Sequence, residues 1–533
     1  MLPQNAPGSS RLRTRTLLAS VALLGATALL AGCTAPASGG GGSSARSSTL
    51  VIAENEPPAT FDPAQADNST VDEVVIPAYD TLVSYDADAQ LTGELATEWS
   101  VDETGTRIDV TLRDDVTFHD GAALTSADVV YTLDRLKALG IGVASLITSY
   151  DSATAVDDTH LTITLSQADA PFLAALSRVY ILNSALVEEN AGDDQGQSWL
   201  ATNDAGSGPY EVTGYTANQA ASFDQYADYW GGFDGQAESI EFRYLAEAST
   251  QSSALTSGDV DIAMDVAPAD RAGFDRDGFA VDSSPTNVVL YSFFDMQDET
   301  TGNPALREAV SAAYDYEQHV DSILLGDGST VNGPVPGGMQ CAATGDIGQP
   351  VFDLDAAQAI VDENGLAGTT LSMVYLQATA EMEQAATLLQ SNLAQIGITL
   401  ELQAVTYPQF VELYASDETR PQMGMIYAFP AFPDTSAIMS QLFDSQFIGT
   451  GQNWAAYSNP EVDTLVRAAQ VETDQATRCQ QYQDAEKLVV ADDVALNLAN
   501  SNTVAVMSDR VQGFTYQPSH HQTVDVYAIT LLE

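Results

Sequence analysis

The segment between residues 371 and 402 places a helix-forming pattern between two short apolar runs. Leu371–Leu376 and Ile398–Leu402 have the length and composition of buried strands. Glu381–Ile396 lies between them and carries apolar residues at helical spacing. Two strands joined through a helix run parallel, because the chain must cross back over the sheet before it adds the second strand. This order predicts an α/β protein built on a partly parallel sheet.

Other segments add half-buried strands and helices. Arg107–Leu112 and Leu161–Leu165 alternate apolar and polar residues with period two, which is typical of strands with one face in water. Ser126–Leu139 follows Thr125, a residue type that caps the N-termini of helices. Leu306–Val320 keeps its apolar residues at helical spacing throughout, which predicts one continuous helix.

The N-terminal residues have the layout of a cleaved export signal. Three arginines between residues 11 and 15 precede the uncharged apolar run Leu17–Leu30. This run is too short to span a bilayer, which needs about 20 apolar residues. Leu-Ala-Gly-Cys at its end resembles a bacterial lipobox, which implies that residues 1–32 are removed and that lipid is attached to Cys33. An ordinary signal peptide that happens to contain a cysteine is the alternative.

Residues 33–48 would then tether the folded part of the chain. They are mostly Thr, Ala, Pro, Ser and Gly, with four glycines in a row at 39–42. Such a stretch cannot bury apolar surface and behaves as a flexible coil. Two or more acyl chains, such as palmitoyl chains, anchor a protein firmly to a membrane. We therefore expect a lipoprotein on the extracellular face of the plasma membrane, which is the periplasmic side if the source has an outer membrane.

The charge balance is strongly acidic, with 18 basic residues against 74 acidic ones and a net charge of −56. Lys137 and Lys487 are the only lysines in the sequence. Nucleic acid is therefore not an expected partner, because phosphate binding needs clustered Lys and Arg. An acidic surface suits a soluble extracellular protein, and salt adaptation is a second explanation. The charge weakly favours cationic or neutral ligands over anionic ones.

Three cysteines occur in the chain. With Cys33 assigned to the lipid, Cys341 and Cys479 remain as a pair in an oxidising compartment, which predicts one disulfide. Two free buried thiols are the alternative. Neither of these cysteines has a histidine close to it in the sequence, so we do not expect a catalytic role for either of them.

Recognisable catalytic and nucleotide-binding motifs are absent from the sequence. It contains no Gly-x-Ser-x-Gly, His-Glu-x-x-His or Ser-x-x-Lys pattern, and no Gly-x-x-x-x-Gly-Lys-[Ser/Thr] loop. The five histidines include the adjacent His520 and His521, which we interpret as an exposed pair rather than a metal site. We therefore expect a protein that is not an enzyme and that has no cofactor and no metal site.

A series of short motifs in a fixed order resembles one known family. In chain order the motifs are Tyr79–Asp86, Leu91–Trp99, Leu112–Gly121, Leu124–Tyr131, Gly206–Tyr210, Leu255–Ile262, Leu306–Asp315 and Trp454–Asp463. Each motif is weak by itself, but their order from about Val51 to the C-terminus is specific. The series resembles the bacterial extracellular solute-binding proteins of family 5, the peptide, oligopeptide and nickel binding components of ATP-binding-cassette (ABC) importers.

The resemblance implies a periplasmic-binding-protein-like α/β fold. Two lobes would be joined by paired hinge strands, with an extra subdomain on the first lobe. The implied boundaries are 49–72, 201–287 and 498–533 for lobe I, 73–200 for the extra subdomain and 288–497 for lobe II. The chain would cross between the lobes near Asn287–Leu290 and Leu496–Leu498.

The same resemblance implies a function that depends on closure. A ligand binds between the lobes, the hinge brings the lobes together, and a membrane permease with its ATPase subunits recognises the closed form. A peptide is the implied solute, and an oligosaccharide, an opine or a metal chelate is the alternative. We expect a monomer whose partners are this small solute, the importer subunits and, through Cys33, the membrane.

Family members contact their ligands through aromatic residues and a few polar groups, and aromatic faces can bury large areas against varied side chains. The matching positions in this sequence are Asn55, Phe61, Tyr291, Phe293, Phe429, Phe432, Asp434, Trp454 and Tyr457. Core packing is the alternative for each aromatic residue in this set.

The segment Ala428–Thr435 departs from the pattern of the peptide-binding members. Those members usually carry Trp-x-x-Asp-x-x-Asp-Pro here, and their first Asp holds the peptide's α-amino group. In this chain the Trp aligns with Ala428 and that Asp with Ala431, so that only Asp434 remains. A buried ammonium without a carboxylate is costly. Either another acid supplies the negative charge, or the ligand has no free α-amine.

Overall fold

The computed structural model describes residues 48–532 except 87–88, 344, 346, 349–350, 378, 450 and 518–523. The predicted signal peptide, Cys33 and nearly all of the tether lie outside the described residues, as do His520 and His521. Within the described part, none of the helices combines the length and the apolar composition that a membrane crossing requires.

The strands contribute one large sheet and several smaller ones. In chain order they are β1 (Thr49–Glu54), β2 (Val83–Tyr85), β3 (Leu91–Gly93), β4 (Ala96–Val101), β5 (Arg107–Leu112), β6 (Tyr150–Ala155), β7 (His160–Leu165), β8 (Tyr210–Thr216), β9 (Ala220–Gln225), β10 (Ser239–Tyr244), β11 (Ile262–Ala263), β12 (Phe279–Phe294), β13 (Gly328–Ser329), β14 (Thr370–Leu376), β15 (Thr399–Val405), β16 (Met423–Ala428), β17 (Ala495–Ser508), β18 (Val511–Gln512) and β19 (Thr530–Leu531).

The helices cover the faces of these sheets. They are α1 (Ser69–Val75), α2 (Ser126–Leu139), α3 (Phe172–Ala175), α4 (Ser184–Glu189), α5 (Gln197–Leu200), α6 (Ala248–Ser257), α7 (Pro268–Arg271), α8 (Pro304–Ala312), α9 (Tyr316–Gln318), α10 (Leu354–Asn364), α11 (Ala380–Gln395), α12 (Tyr407–Tyr414), α13 (Ser436–Phe443), α14 (Pro460–Val471) and α15 (Gln475–Ala491). Short 3₁₀ turns lie at Pro63–Gln65, Gly142–Leu146, Leu176–Arg178, Ala272–Phe274, Ser445–Phe447 and Val526–Ala528, and a π turn at His319–Ile323.

The large sheet has the strand order β15-β14-β16-β12-β17-β11-β1-β10-β9-β8, with β13 paired to β17. It is mixed, because β1 runs parallel to β10 and β11 whereas β11 and β12 are both antiparallel to β17. A separate antiparallel sheet has the order β4-β5-β7-β6. We call the part of the large sheet that contains β1 and β8–β11 its first half, and the part that contains β14–β16 its second half.

The predicted β-α-β unit is confirmed. Strands β14 and β15 are parallel neighbours from Thr370, opposite Thr399, to Leu376, opposite Val405. Helix α11 connects them and buries Leu389 and Leu393 completely, as its apolar spacing requires. The fold is therefore α/β, as the sequence predicts.

Two long strands, β12 and β17, extend through both halves of the large sheet. Phe279–Pro285 of β12 pairs with Asn502–Ser508 of β17, whose other neighbour there is β11. Val289–Phe294 of β12 pairs with β16 and with the beginning of β17. This antiparallel pair therefore connects the two halves.

Successive side chains of β12 enter two different hydrophobic cores, one on each face of the second half. Tyr291 and Phe293 enter a core that α12 to α15 cover, whereas Leu290 and Phe294 enter the opposite core with α8, α10 and α11. This is the period of two that a strand imposes on its side chains. The largest core lies beside the first half and extends to α2 and the four-stranded sheet, and it also receives Phe432 from the second half. The segment after β16 therefore contributes a side chain to this core.

The single helix predicted for Leu306–Val320 is wrong. In the structure α8 ends at Ala312 and a new helical turn begins at Tyr316. The side chain of Asp315 accepts a hydrogen bond from the backbone N–H of Gln318 at 2.9 Å, which makes it the N-cap of the second helix. Aspartate is strongly preferred at this position, so local capping overrides the continuous apolar spacing.

The helix predicted for Ser126–Leu139 is confirmed with the same bounds. The backbone N–H and the hydroxyl of Thr125 both donate to a carboxylate oxygen of Asp128 at 2.9 Å. Gly140 ends the helix with φ of 62°, a left-handed conformation that glycine adopts without strain.

Candidate ligand-binding site

The two halves are joined where the ladder between β12 and β17 is interrupted. The register shifts just before Val289, and side chains replace the missing backbone pairing. The amide of Asn500 donates to the carbonyl oxygens of Thr286 and Val288, at 2.9 and 2.7 Å. The hydroxyl of Thr286 donates to the carbonyl oxygen of Ser501 at 2.7 Å. A short stretch held in this way is suited to absorb the backbone rotation of a hinge.

The position of the hinge remains a prediction. The predicted crossing at Asn287–Leu290 overlaps the interrupted part of β12. On β17 the residues opposite that part are Asn500–Asn502, which lie beyond the crossing predicted at Leu496–Leu498.

The segment after β16 carries three of the predicted ligand residues at different depths. Phe429 is 51% exposed, and its ring lies 5.8 Å from that of Tyr427. Phe432 is buried in the core beside the first half of the sheet. Asp434 is buried as well. Of these three residues, Phe429 offers the most surface to a ligand in this conformation.

The carboxylate of Asp434 is already engaged by Arg478. Its two oxygens accept hydrogen bonds from Nη1 and Nη2 of Arg478 at 2.9 and 2.6 Å. One of these oxygens also accepts from the backbone N–H of Ser436 at 2.9 Å. Burial opposes the charge of Arg478, but the carboxylate of Asp434 outweighs it and raises the pKa of Arg478. Asp434 therefore has a structural partner in this structure, and its contact with a ligand remains a prediction.

A disulfide between Cys341 and Cys479 lies beside this ion pair, with the two Cα atoms 4.5 Å apart. The bridge connects α15 to the loop before α10. That loop is also joined to the segment after β16, because the carbonyl oxygen of Gln340 accepts hydrogen bonds from the backbone N–H and the hydroxyl of Thr435, at 3.0 and 2.7 Å. These contacts hold together α15, the loop before α10 and the segment after β16. We call these three parts the wall that carries Asp434.

Phe61, Tyr291 and Phe293 lie in hydrophobic cores. The ring of Phe61 packs edge-on against Tyr215 at 5.0 Å. Tyr291 and Phe293 stack on each other at 5.3 Å, and the hydroxyl of Tyr291 donates to the carbonyl oxygen of Pro334. Each of the three is at most 1% exposed. These packing partners account for the burial of the three residues, and their contact with a ligand remains a prediction.

Trp454 and Tyr457 lie in the core covered by α12 to α15. Trp454 is 8% exposed, and its ring lies 5.4 Å from Phe410 and 5.6 Å from Tyr414. The hydroxyl of Tyr457 donates to Asp492 at 2.7 Å. Both side chains therefore have packing partners that account for their burial without a ligand.

A cavity that the sequence analysis missed lies where the segment from residue 76 to 94 meets the C-terminal segment. Its volume is about 220 Å³. Three acidic side chains line it: Asp80, Glu94 and Asp525. Five tyrosines line it as well: Tyr79, Tyr85, Tyr180, Tyr229 and Tyr527. We call this space the acidic cavity.

The acids of this cavity are held mainly by neutral donors. Asp80 accepts hydrogen bonds from Ser207, Tyr229 and Trp230, at 2.7, 3.2 and 3.2 Å. Burial raises the pKa of Asp80 to about 6, although these hydrogen bonds oppose the rise. Burial and the charge of Asp80 together raise the pKa of Glu94 to about 8. Both carboxyl groups are therefore costly to ionise.

The acidic cavity adjoins the wall that carries Asp434. Tyr85 lines the cavity, and the charges of Asp434 and Arg478 both act on its hydroxyl, whose pKa is raised chiefly by burial. The hydroxyl of Tyr85 is buried and has no hydrogen-bond partner among the residues that the structure describes. In the sequence, Tyr79–Asp86 and Leu91–Trp99 serve only as motifs of the family resemblance. Nothing in them distinguishes Asp80 or Glu94 among the 74 acidic residues.

A second acidic group lies at the carboxyl ends of the parallel strands β1, β10 and β11, next to the exposed Asn55. Burial raises the pKa of Glu54, the last residue of β1, to about 8, and Asp265 adds to the rise. Burial and then the charge of Glu54 raise the pKa of Glu73 on α1. One carboxylate oxygen of Glu73 and the hydroxyl of Tyr244 are buried, and neither has a hydrogen-bond partner in the described part of the chain.

Among the described residues, no group of three or more His, Cys, Asp or Glu side chains has an arrangement that could hold a metal ion.

The mixed sheet, divided into two halves that a pair of hinge-like strands connects, defines the two-lobed class of solute-binding proteins. The sequence model described as "Bacterial extracellular solute-binding proteins, family 5 Middle" matches residues 90–450. This match covers more than half of the chain, and the protein therefore belongs to that family.

Relatives of this chain support the assignment over nearly its full length. The chain is 29% identical over 486 residues to the probable D,D-dipeptide-binding periplasmic protein DdpA of Escherichia coli (strain K12), covering 90% of this chain and 93% of that protein. The fold matches the ABC transporter substrate binding protein CtaP from Listeria monocytogenes with a TM-score of 0.82 at 22% identity, covering 91% of this chain and 99% of CtaP. It also matches the dipeptide binding protein from Pseudoalteromonas sp. SM9913 in complex with Met-Leu, with a TM-score of 0.77 at 21% identity, covering 91% of this chain and 100% of that protein.

Proposed function

We propose that this protein captures short peptides outside the cell and delivers them to the permease of an ABC importer. The observation that carries the proposal is the family match over residues 90–450. Similarity over 90% of the chain to a protein named for D,D-dipeptide binding supports a peptide as the solute. A dipeptide bound to a protein of the same fold is consistent with it.

The proposed mechanism is closure of the two halves about the interrupted part of β12 and β17. A peptide favours the closed form only through contacts that it makes better there than in the open form. The exposed Phe429 and the acidic cavity would supply such contacts from the two sides. Closure also removes water, which strengthens the polar contacts that hold the peptide. The protein itself performs no chemistry in this role.

The proposal includes the location of the protein. Lipid on Cys33 would hold it at the outer face of the plasma membrane, and residues 34–48 would let it reach the permease as a monomer. The Leu-Ala-Gly-Cys sequence at residues 30–33 supports lipidation. Metabolic labelling with a palmitate analogue tests it, since labelling of the wild type and none of Cys33→Ala is expected. Equal labelling of both would contradict the lipid anchor.

Thermal unfolding in the presence of a dipeptide library tests the proposed solute. A ligand at 100 times its Kd stabilises the folded state by about 2.7 kcal/mol, which raises the melting temperature. We expect that rise with dipeptides and not with oligosaccharides, opines or a nickel–histidine chelate. A rise with one of these other solutes and none with dipeptides would contradict the peptide assignment.

A further inference from the structure

We propose that the acidic cavity binds a positively charged ammonium group of the solute. This inference rests on the proposed function, because it names the part of the peptide that the cavity receives. Either the α-amino terminus or a lysine side chain carries the required chemistry.

The charge of the cavity walls points to a cation. None of the described residues that line the acidic cavity is basic, whereas Asp80, Glu94 and Asp525 all line it. None of these three carboxylates takes part in a salt bridge among the described residues. A buried carboxylate without a cation is unfavourable, so a positively charged guest would offset the cost of ionising Asp80 and Glu94.

Glu94 has room to accept such a guest. One of its carboxylate oxygens accepts hydrogen bonds from the hydroxyl and the backbone N–H of Thr81, at 2.6 and 3.2 Å. The other oxygen has no hydrogen-bond donor among the described residues. An ammonium group has three N–H donors, and the free oxygen of Glu94 offers one of them an acceptor.

Tyr85 is the second, independent observation. Its side chain lines the cavity and is only 5% exposed. Its hydroxyl is buried, and no described residue forms a hydrogen bond with it. A hydroxyl can accept a hydrogen bond from an ammonium group. Four other tyrosines also line the cavity, and the faces of aromatic rings attract cations within about 6 Å. The cavity therefore offers a cation both acceptor oxygens and ring faces.

Three basic groups act on residues that line the cavity, and each is already paired with a carboxylate. The charge of His119 acts on Asp80, and Nδ1 of His119 lies 2.6 Å from Asp204. Arg178 acts on Tyr180 and is bonded to Asp72 at 2.7 Å. Arg478 acts on Tyr85 and is bonded to Asp434, as described above. Neither arginine is therefore available to balance the acids of the cavity.

Elsewhere in the described chain, few basic side chains lack a carboxylate partner and could bind an anionic ligand. Every described Lys and Arg lies within salt-bridge distance of a carboxylate, apart from Arg276 and Arg307. Arg276 lies over two phenylalanine rings, and Arg307 donates to backbone carbonyl oxygens. The charges of the described residues therefore favour a solute with a positive group over one with a negative group.

Titration of matched peptides into matched variants tests the proposal. Dipeptides that the protein retains from a library are identified by native mass spectrometry and synthesised with free and with acetylated N-termini. Calorimetric titration then compares the wild type with Glu94→Gln and with Glu98→Gln, which removes the same charge at an exposed position outside the cavity. Asp525→Asn is the second cavity variant, and circular dichroism verifies that each variant folds.

We expect Glu94→Gln to weaken binding of the free-amine peptides at least tenfold and of the acetylated peptides less than twofold, with Glu98→Gln leaving both unchanged. If Glu94→Gln also binds acetylated, lysine-containing peptides more weakly than the wild type does, the cavity binds the ammonium group of the lysine side chain. Equal losses of affinity for the free and the acetylated form of a lysine-free peptide, or no loss for any peptide in Glu94→Gln and Asp525→Asn, would overturn the ammonium site and leave the proposed function intact. Retention of no dipeptide would contradict both.

Discussion

Asp434 and Arg478 form a two-point ion pair in which both side chains are almost completely buried. The pair joins α15 to the segment after β16, and Cys341–Cys479 joins the same helix to the neighbouring loop. The charges of both partners act on the hydroxyl of Tyr85, which lines the acidic cavity. The ion pair holds the segment after β16 against α15, beside the acidic cavity. The position of that segment therefore depends on α15.

Asp434→Asn is expected to lower the free energy of unfolding by about 3–5 kcal/mol, because it leaves the charge of Arg478 buried without a partner. Urea unfolding monitored by circular dichroism measures the change. Arg107→Gln is the control, since it breaks an exposed ion pair with Asp109 and is expected to cost less than about 1 kcal/mol. Similar small losses in both variants would show that the buried pair does not support the wall.

The disulfide is expected to stabilise the fold by restricting the unfolded chain. Cys341 and Cys479 are 138 residues apart, and a loop of that size corresponds to about 4–5 kcal/mol in the chain-entropy model. The double variant Cys341→Ala/Cys479→Ala should therefore unfold at lower urea concentration than the wild type. A reducing agent should destabilise the wild type and leave the variant unchanged. Two free thiols in a non-reducing peptide map of the wild type would contradict the bridge.

Trp454→Ala and Phe429→Ala are expected to separate packing from binding. Trp454 packs on Phe410 and Tyr414, so its removal should cost about 3–5 kcal/mol of unfolding free energy. Phe429 is half exposed, so its removal should leave stability within about 0.5 kcal/mol. If Phe429 contacts the peptide, its removal should weaken peptide binding in calorimetry. Loss of affinity in a folded, fully stable Trp454→Ala protein would instead make Trp454 a ligand contact.

The buried Glu54 is expected to make stability fall as the pH rises. Its pKa is about 8 in the folded protein, against 4.5 for an ordinary glutamate, so the folded state binds the proton more tightly than the unfolded state. Its contribution is therefore favourable below about pH 4.5 and is lost progressively up to about pH 8. Glu54→Gln cannot ionise, so it should be more stable than the wild type at pH 9, by on the order of 2–4 kcal/mol.

Urea unfolding of wild type and Glu54→Gln at pH 5, 7 and 9 measures this difference. Glu98→Gln, at an exposed position, should show the same pH dependence as the wild type. A constant difference between Glu54→Gln and the wild type across the three pH values would show that Glu54 does not titrate in this range.

Most of the regular elements could be predicted because their causes are local. Arg107–Leu112 has the predicted bounds since its alternation reflects one buried face, and Ser126–Leu139 begins where Thr125 caps it. The Leu306–Val320 prediction failed at Asp315, where an N-cap started a new turn. Apolar spacing does not contain that information, whereas the position of an aspartate before a helical turn does.

The site was less predictable because burial and partners come from tertiary contacts. The sequence could not distinguish Phe61 or Tyr291, which fill cores, from the exposed Phe429. Asp434 was expected to face the ligand, but its partner Arg478 lies 44 residues away in the sequence. The acidic cavity brings Asp80 together with the C-terminal segment, and no local pattern records such an encounter.

Small-angle X-ray scattering with and without a retained dipeptide tests most directly whether the two halves close around a solute. The account predicts that saturating dipeptide decreases the radius of gyration of the wild type, and that an oligosaccharide of similar mass leaves it unchanged. Scattering curves that stay superimposable while calorimetry shows the dipeptide to be bound would contradict closure about β12 and β17.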